Sequence, residues 1–116
     1  MYKQLAAWHQ TFGADIELLL YPSDEFGGQE LPSDKIPAFV ESKGLPTKGG
    51  GCILMAKTRV NGPDADPVWQ YAKSVFPGNV GWNFGALFVF DKDGQPLGRF
   101  SARELGKVER VMKDAL

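Results

Sequence analysis

The sequence predicts an α/β sandwich, with helices on both faces of a mixed sheet. Apolar residues recur at helical spacing in several segments, and short apolar runs of strand length lie between those segments. The predicted order is helix, strand, helix, short strand, helix, two hairpin strands and helix. With 116 residues, of which 43% are hydrophobic, the chain can form one compact domain over residues 1–116, and no linker interrupts it.

The first predicted helix covers residues 2–12 and ends at Gly13, because glycine is favoured just after a helix C-terminus. Its expected apolar face consists of Tyr2, Leu5, Ala6, His9 and Phe12. The segment Asp15 to Tyr21 is predicted to be a strand, since its leucine run is too short and too apolar for a surface helix. Pro22 stops that strand, and a loop covers residues 23–32.

Ser33 is expected to cap a second helix, in which Pro37 lies within the first turn and costs little. The expected apolar face of this helix is formed by Ile36, Phe39 and Val40. Gly44 and Pro46 end it. After three consecutive glycines, the segment Cys52 to Val60 is predicted to be a strand, although its alternation is poor.

Asp66 followed by Pro67 is typical of a helix start and predicts a third helix. Its expected apolar stripe consists of Val68, Tyr71, Ala72 and Val75. Two strands, residues 86–90 and 96–100, flank an Asp-Lys-Asp-Gly turn and predict a hairpin. Ser101 and Glu104 predict a capping box for the last helix. The expected buried face of that helix consists of Leu105, Val108, Met112 and Ala115.

Charge and hydropathy exclude several partners. The 13 Lys and Arg residues against 14 Asp and Glu residues give a net charge of −1, which argues against a nucleic-acid partner. The longest apolar runs, residues 52–56 and 86–90, are far shorter than a membrane span. The N-terminus lacks the apolar stretch of a secretory signal, so an intracellular or organellar protein is expected rather than a secreted one.

No cofactor and no metal are expected. Cys52 and His9 are the only residues of their types and are too few for a zinc site. Neither glycine run has the spacing of a phosphate-binding loop. Cys52 is expected to be a small buried hydrophobe, and His9 a hydrogen-bonded packing residue.

Five segments together resemble the glutathione peroxidase family, in the family's order and at nearly its spacing. The segment Tyr21 to Glu30 resembles the block Phe-Pro-Cys-Asn-Gln-Phe-Gly-x-Gln-Glu, and Tyr2 to His9 is similar to the first helix. The Val60-Asn61-Gly62 triplet, the third-helix segment Pro67 to Tyr71 and the triplet Trp82-Asn83-Phe84 also match. The resemblance covers essentially the whole chain.

The resemblance implies a thioredoxin-like fold and thiol-dependent reduction of hydrogen peroxide or organic hydroperoxides, with glutathione or thioredoxin as the donor. In the family a cysteine or selenocysteine attacks the peroxide, and Gln, Trp and Asn side chains surround it. The matching positions here are Gln29, Trp82 and Asn83. Amide and indole N–H groups stabilise an anionic nucleophile without adding a competing base.

The chain departs from the family at its thiol positions. Ser23 replaces the cysteine of the block, and Glu41 replaces the resolving cysteine of thioredoxin-dependent members. Cys52 aligns with neither site. Asp24-Glu25 replaces the Asn-Gln pair of the block, and Ala86 replaces the lysine after the Trp-Asn-Phe motif.

The strand that carries the peroxidatic residue is expected to precede Met1, so the chain is expected to be N-terminally truncated and inactive alone. In the 2-1-3-4 strand order of this fold, that central strand lies between residues 15–21 and 86–90. Without it the chain is expected to be marginally stable, because an open interior edge leaves main-chain groups unpaired. An upstream segment, a partner or second copy, or a rearranged sheet would fill the gap.

Three functions therefore stay open. The first is the downstream part of a hydroperoxide-reducing enzyme. The second is a non-catalytic, peroxidase-derived subunit that docks in a larger assembly through its open sheet edge. The third is a binder of small molecules, and it ranks last.

Overall fold

A computed structural model describes residues 1–23, 33–81 and 86–116. The chain divides into two compact units, Met1–Thr58 and Arg59–Leu116. Each unit combines two α-helices with a two-stranded sheet, one parallel and the other antiparallel, which confirms the α/β class. The expectation of one domain over residues 1–116 stays a prediction.

The first unit begins with helix α1, Tyr2–Phe12, whose predicted bounds are confirmed. Its buried side chains are Leu5, Trp8 and Phe12, so Trp8 belongs to the core although the predicted face omitted it. A 3-10 turn, Gly13–Asp15, follows, and strand β1 is confined to Leu18–Leu20. The predicted strand was therefore too long at its start, because Asp15 belongs to the turn.

Helix α2, Ile36–Ser42, follows a 3-10 turn, Ser33–Lys35. The prediction of a Ser33 cap was wrong, since Lys35 occupies the N-cap position and makes no side-chain cap. Ile36 and Val40 are buried as expected, whereas Phe39 is 39% exposed. The Phe39 ring packs edge-on against Tyr2, with a centroid separation of 5.5 Å.

Strand β2 covers Cys52–Leu54, much less than the predicted segment to Val60. It pairs in parallel with β1, with Leu18 opposite Cys52 and Leu20 opposite Leu54. The main-chain carbonyl of Leu20 also accepts a hydrogen bond of 2.9 Å from the N–H of Met55. Regular pairing with β1 ends there because β1 itself has only three residues.

The second unit begins its regular structure with helix α3, Pro67–Val75. The Asp66 side chain caps the helix by accepting a hydrogen bond of 2.9 Å from the Val68 N–H, as the Asp-Pro pair predicted. The predicted buried stripe was wrong for most of its members. Ala72 is buried, whereas Val68, Tyr71 and Val75 are 41%, 43% and 48% exposed.

The predicted hairpin and last helix are confirmed as strands β3, Leu87–Phe90, and β4, Pro96–Phe100, followed by helix α4, Leu105–Ala115. The predicted buried face of α4 was wrong except at Val108, because Leu105, Met112 and Ala115 are only half-buried. The β3–β4 register shifts between Val89 and Phe90. In the connecting turn, Asp91 Oδ1 accepts hydrogen bonds of 2.9 Å from the N–H groups of Asp93 and Gln95. Within the described ranges, no helix is long and apolar enough to cross a membrane.

Candidate functional site

Cys52 occupies the first position of β2, and its side chain is fully buried. Burial raises the pKa of this thiol to about 11, and the negative charge of Glu17 acts in the same direction. Glu17 is held nearby because its Oε2 accepts a hydrogen bond of 3.0 Å from the Gly51 N–H. The thiol is therefore neutral at physiological pH and shielded from solvent, which is the opposite of an activated nucleophile.

His9 packs against the glycine that precedes Cys52. A Cβ atom at Gly51 would lie 2.6 Å from His9 Nδ1 and 2.8 Å from the carbonyl oxygen of Gly13. The packing role predicted for His9 is thus confirmed, but the predicted hydrogen bond is not seen at Nδ1. That atom is buried and has no hydrogen-bond partner among the described residues.

In the second unit, the Asn61 carboxamide binds both main-chain groups of Val80. Asn61 Oδ1 accepts a hydrogen bond of 2.6 Å from the Val80 N–H, and Nδ2 donates one of 3.0 Å to the Val80 carbonyl. Val80 is only 7% exposed. Asn61 therefore satisfies a buried peptide in the way that a neighbouring strand would.

Lys73 connects helix α3 to the same carboxamide. Its Nζ donates hydrogen bonds of 2.8 Å to the Val60 carbonyl and 3.2 Å to Asn61 Oδ1. A charged donor strengthens such bonds relative to a neutral one. Lys73 thereby fixes the turn that carries Asn61 to the helix.

Arg99, near the end of β4, holds the residues just before Val80. Its guanidinium donates hydrogen bonds to three carbonyl oxygens, at 3.2 Å from Phe76, 2.8 Å from Gly78 and 2.8 Å from Asn79. It also lies 5.5 Å from the centroid of the Phe88 ring. Arginine suits this role because its planar group presents several donors in a fixed arrangement.

The described ranges contain no group of three His, Cys, Asp or Glu side chains arranged to bind a metal ion.

Comparison with known proteins identifies relatives that match most of the chain. No protein-family model matches it. Glutathione peroxidase 1, mitochondrial, from Chlamydomonas reinhardtii is 36% identical over 86% of this chain and 50% of its own length. A Schistosoma mansoni glutathione peroxidase is 35% identical over 86% of this chain and 60% of its own. A glutathione peroxidase-like peroxiredoxin from Schizosaccharomyces pombe is 32% identical over 97% of this chain and 71% of its own.

The chain belongs to the glutathione peroxidase family. Its alignments span 50% and 60% of the Chlamydomonas and Schistosoma relatives. A solved structure described as the crystal structure of Trgpx in apo form aligns with 90% of this chain at a TM-score of 0.48 and 19% identity.

The three residues that the family resemblance assigns to the site are Gln29, Trp82 and Asn83. They lie outside the described residues, so the structure does not test their arrangement. The described residues nearest to Gln29 in the sequence are Ser23, which is half-buried, and Ser33, which is exposed, and those that precede Trp82 are Val80 and Gly81. Their assignment remains a prediction from the glutathione peroxidase motifs.

Among the other departures from the glutathione peroxidase pattern, Glu41 and Ala86 fall on described residues, whereas Asp24-Glu25 lies outside them. Glu41 lies in α2 and is exposed, and its Oε1 accepts a hydrogen bond of 3.2 Å from Thr47 Oγ1. Ala86 is half-buried just before β3. Neither position holds a group that could replace a redox thiol.

Sequence reasoning missed the roles of Asn61, Lys73 and Arg99. A signal was available for Asn61, since the Val-Asn-Gly triplet is one of the family segments and Asn readily bonds to main-chain groups. For Arg99 no local signal exists, because its partners lie 20 to 23 residues earlier in the chain.

Proposed function

We propose that this protein reduces hydrogen peroxide or organic hydroperoxides with a thiol donor, glutathione or thioredoxin. In this proposal Gln29, Trp82 and Asn83 surround a peroxidatic cysteine or selenocysteine that residues 1–116 do not themselves supply. Those 116 residues alone are accordingly expected to be inactive. Membership of the glutathione peroxidase family supports the reaction class.

The burial and raised pKa of Cys52 support the proposal that residues 1–116 do not supply the nucleophile. Cys52 is the only cysteine in the chain, it is fully buried, and its pKa is raised to about 11. A peroxidatic thiol needs the opposite environment, because the thiolate is the nucleophile and the peroxide must reach it. Cys52 is therefore assigned a structural role.

The proposed reaction needs a chalcogen anion beside several neutral donors. The anion attacks one peroxide oxygen, the O–O bond breaks, and the leaving alkoxide takes up a proton to form an alcohol, or water from hydrogen peroxide. The chalcogen is oxidised to a sulfenic or selenenic acid, and two donor thiols then reduce it, releasing water and forming a disulfide. The N–H groups of Gln29, Trp82 and Asn83 suit stabilisation of the anion.

The test is hydroperoxide consumption by the native protein, isolated with any segment that precedes residue 1 and characterised by its intact mass. Activity is measured with glutathione and with thioredoxin as donors. We expect Cys52→Ser to retain activity and Trp82→Phe or Asn83→Ala to lower kcat/KM by about 10²-fold. Gln10→Ala, the same change at an exposed position of α1, is the control for Gln29→Ala and is expected to leave kcat/KM unchanged.

Two results would contradict the proposal. If the native protein consumes no hydroperoxide with either donor, the proposed reaction is wrong. Loss of activity in Cys52→Ser, with the folded state intact by circular dichroism, would instead assign the nucleophile to the buried thiol.

The alternative is a non-catalytic subunit that docks through an open strand edge to a partner or a second copy. Among the described residues β1 pairs only with β2, and Leu19 at its centre is 45% exposed. The test is sedimentation of the native protein. A docking role predicts that the native protein forms a complex and that Leu19→Lys dissociates it. Leu116→Lys, at an exposed C-terminal leucine, is the control and should leave the complex intact. A monomer at all concentrations in cell extract and in purified form contradicts it.

A further inference from the structure

The segment between α3 and Trp82 is held by side chains rather than by a sheet. Residues 76–81 have no regular secondary structure. Arg99 binds the carbonyls of Phe76, Gly78 and Asn79, and Asn61 binds both polar groups of Val80. The path of the main chain therefore depends on two side chains, and the residue that Asn61 binds, Val80, is the one nearest to Trp82 in the sequence.

We propose that Asn61 is a positioning residue, which sets the course of the main chain that enters the Trp82-Asn83 pair. This inference rests on the proposed function, because it concerns the donors assigned to the peroxide-reducing site. Trp82 follows Val80 by two residues, and two extended residues span only about 7 Å. A displacement of the Val80 peptide therefore has little chain over which to be absorbed before it reaches the indole.

The orientation of the Asn61 carboxamide follows from its partners. The Val80 N–H and the Lys73 ammonium are both donors, so the atom that they share must be the carboxamide oxygen. The nitrogen is then directed to the Val80 carbonyl. Because a planar amide makes both bonds to one residue, it restrains the two peptide groups on either side of the Val80 Cα.

The bond to the Val80 carbonyl makes this arrangement specific to asparagine, because it needs a side-chain donor. The Lys73 ammonium holds the other end of the carboxamide, donating to Asn61 Oδ1 at 3.2 Å and to the Val60 carbonyl at 2.8 Å. Aspartate at position 61 would keep both acceptor bonds but would place a carboxylate oxygen against the Val80 carbonyl. Alanine would leave the N–H and carbonyl of a buried peptide without their partners.

The experiment compares Asn61→Ala and Asn61→Asp with Asn79→Asp in isotope-labelled protein. Asn79 is an exposed asparagine in the same segment, and its carbonyl rather than its side chain is bound by Arg99. The readouts are the indole N–H signal of Trp82, assigned with Trp82→Phe, and hydrogen exchange of the Val80 amide. The indole signal of Trp8 is the internal reference.

We expect Asn61→Ala to move the Trp82 signal and to speed Val80 exchange about tenfold or more, while the Trp8 signal stays in place. Asn61→Asp gives a smaller change in the same direction, and Asn79→Asp gives none. In protein that reduces peroxide, Asn61→Ala lowers kcat by up to about 10²-fold without changing the KM for the thiol donor.

An unchanged Trp82 signal in Asn61→Ala, or an equal shift in Asn79→Asp, overturns the inference. A shifted Trp82 signal in Asn61→Ala together with a wild-type kcat also overturns the inference, because Asn61 would then contribute to stability alone. Should Asn61→Ala fail to fold, the same criteria apply to Asn61→Asp. Wild-type protein that reduces no peroxide, yet whose Trp82 signal still responds to Asn61, overturns the proposed function and leaves the control of Trp82 by Asn61 standing.

Discussion

Position 51 requires glycine for two reasons, its main-chain conformation and the atoms that pack against it. Its φ of +122° lies in a region that side-chain-bearing residues rarely adopt, and a Cβ atom would meet His9 and the Gly13 carbonyl below 3 Å. We expect Gly51→Ala to lower the free energy of unfolding by about 2–4 kcal/mol, measured by urea denaturation.

Gly50 provides the matched control, because it also has a positive φ, +75°, but open space where a Cβ would lie. Gly50→Ala should cost about 1 kcal/mol, the backbone penalty alone. Equal losses in the two variants would show that the crowding by His9 has no energetic weight.

The buried thiol of Cys52 predicts a low reactivity that depends on the fold. A pKa of about 11, against an ordinary 9.0, reduces the thiolate fraction at pH 8 by about 100-fold. Ellman's reagent should therefore react at least that much more slowly with native protein than with the urea-unfolded chain. A similar rate in both states would contradict the inert role assigned to Cys52.

The same raised pKa links stability to alkaline pH. The unfolded chain releases the thiol proton near pH 9 and the folded chain only near pH 11, so the folded state binds more protons in between. This contribution to the unfolding free energy is complete below about pH 9 and is lost as the pH rises to about 11. Cys52→Ala should lack that part of the decline.

At the scale of the element, the start of helix α4 depends on a carboxylate. The Ser101 N–H donates to Glu104 Oε1 at 3.1 Å, and the Lys107 ammonium donates to Oε2 at 3.4 Å. The bond from Ser101 and then the bond from Lys107 lower the pKa of Glu104 below its ordinary 4.5. The predicted capping box is therefore formed only on the Glu104 side, because Ser101 Oγ accepts from the Arg103 N–H rather than from the Glu104 N–H, and Glu104 itself is the N-cap residue of α4.

A lowered carboxylate pKa stabilises the folded state above the unfolded value and loses that effect as the pH falls. We expect Glu104→Gln to be less stable than wild type above about pH 4.5, and the difference to disappear in more acidic solution. Urea denaturation over a pH series measures it. Glu109→Gln, which removes a carboxylate elsewhere on α4, should leave the acid-dependent loss in place.

Elements set by short-range chemistry could be predicted from the sequence. The bounds of α1, the Asp66 cap and the Asp91 turn each depend on residues within a few positions of one another. The end of β2 and the exposure of the α3 stripe could not be predicted. Both depend on what lies beside the element, which an apolar pattern does not specify.

The candidate site divides in the same way. Burial of Cys52 followed from its apolar neighbours, and the motif positions followed from family resemblance. The hydrogen bonds of Asn61 and Arg99 join residues that lie 19 to 23 positions apart in the sequence. No local rule indicates such pairs, because their geometry exists only once the chain has folded.

At the scale of the molecule, the prediction of one domain has a direct test. Trp8 lies in the first compact unit and Trp69 in the second, so their indole signals report on each unit in a single urea series. One domain predicts coincident unfolding transitions. Two separate midpoints would show that residues 1–58 and 59–116 unfold independently.

The hydrogen bonds of Asn61 also affect the chemical stability of the protein during storage. Asparagine followed by glycine, as in Asn61-Gly62, is prone to deamidation, which begins when the nitrogen of the following residue attacks the side-chain carbonyl carbon. A carboxamide tied to Val80 and Lys73 cannot turn freely toward that nitrogen. Folding therefore slows the deamidation of Asn61. In stored samples the reaction would occur chiefly in molecules that had unfolded around this residue.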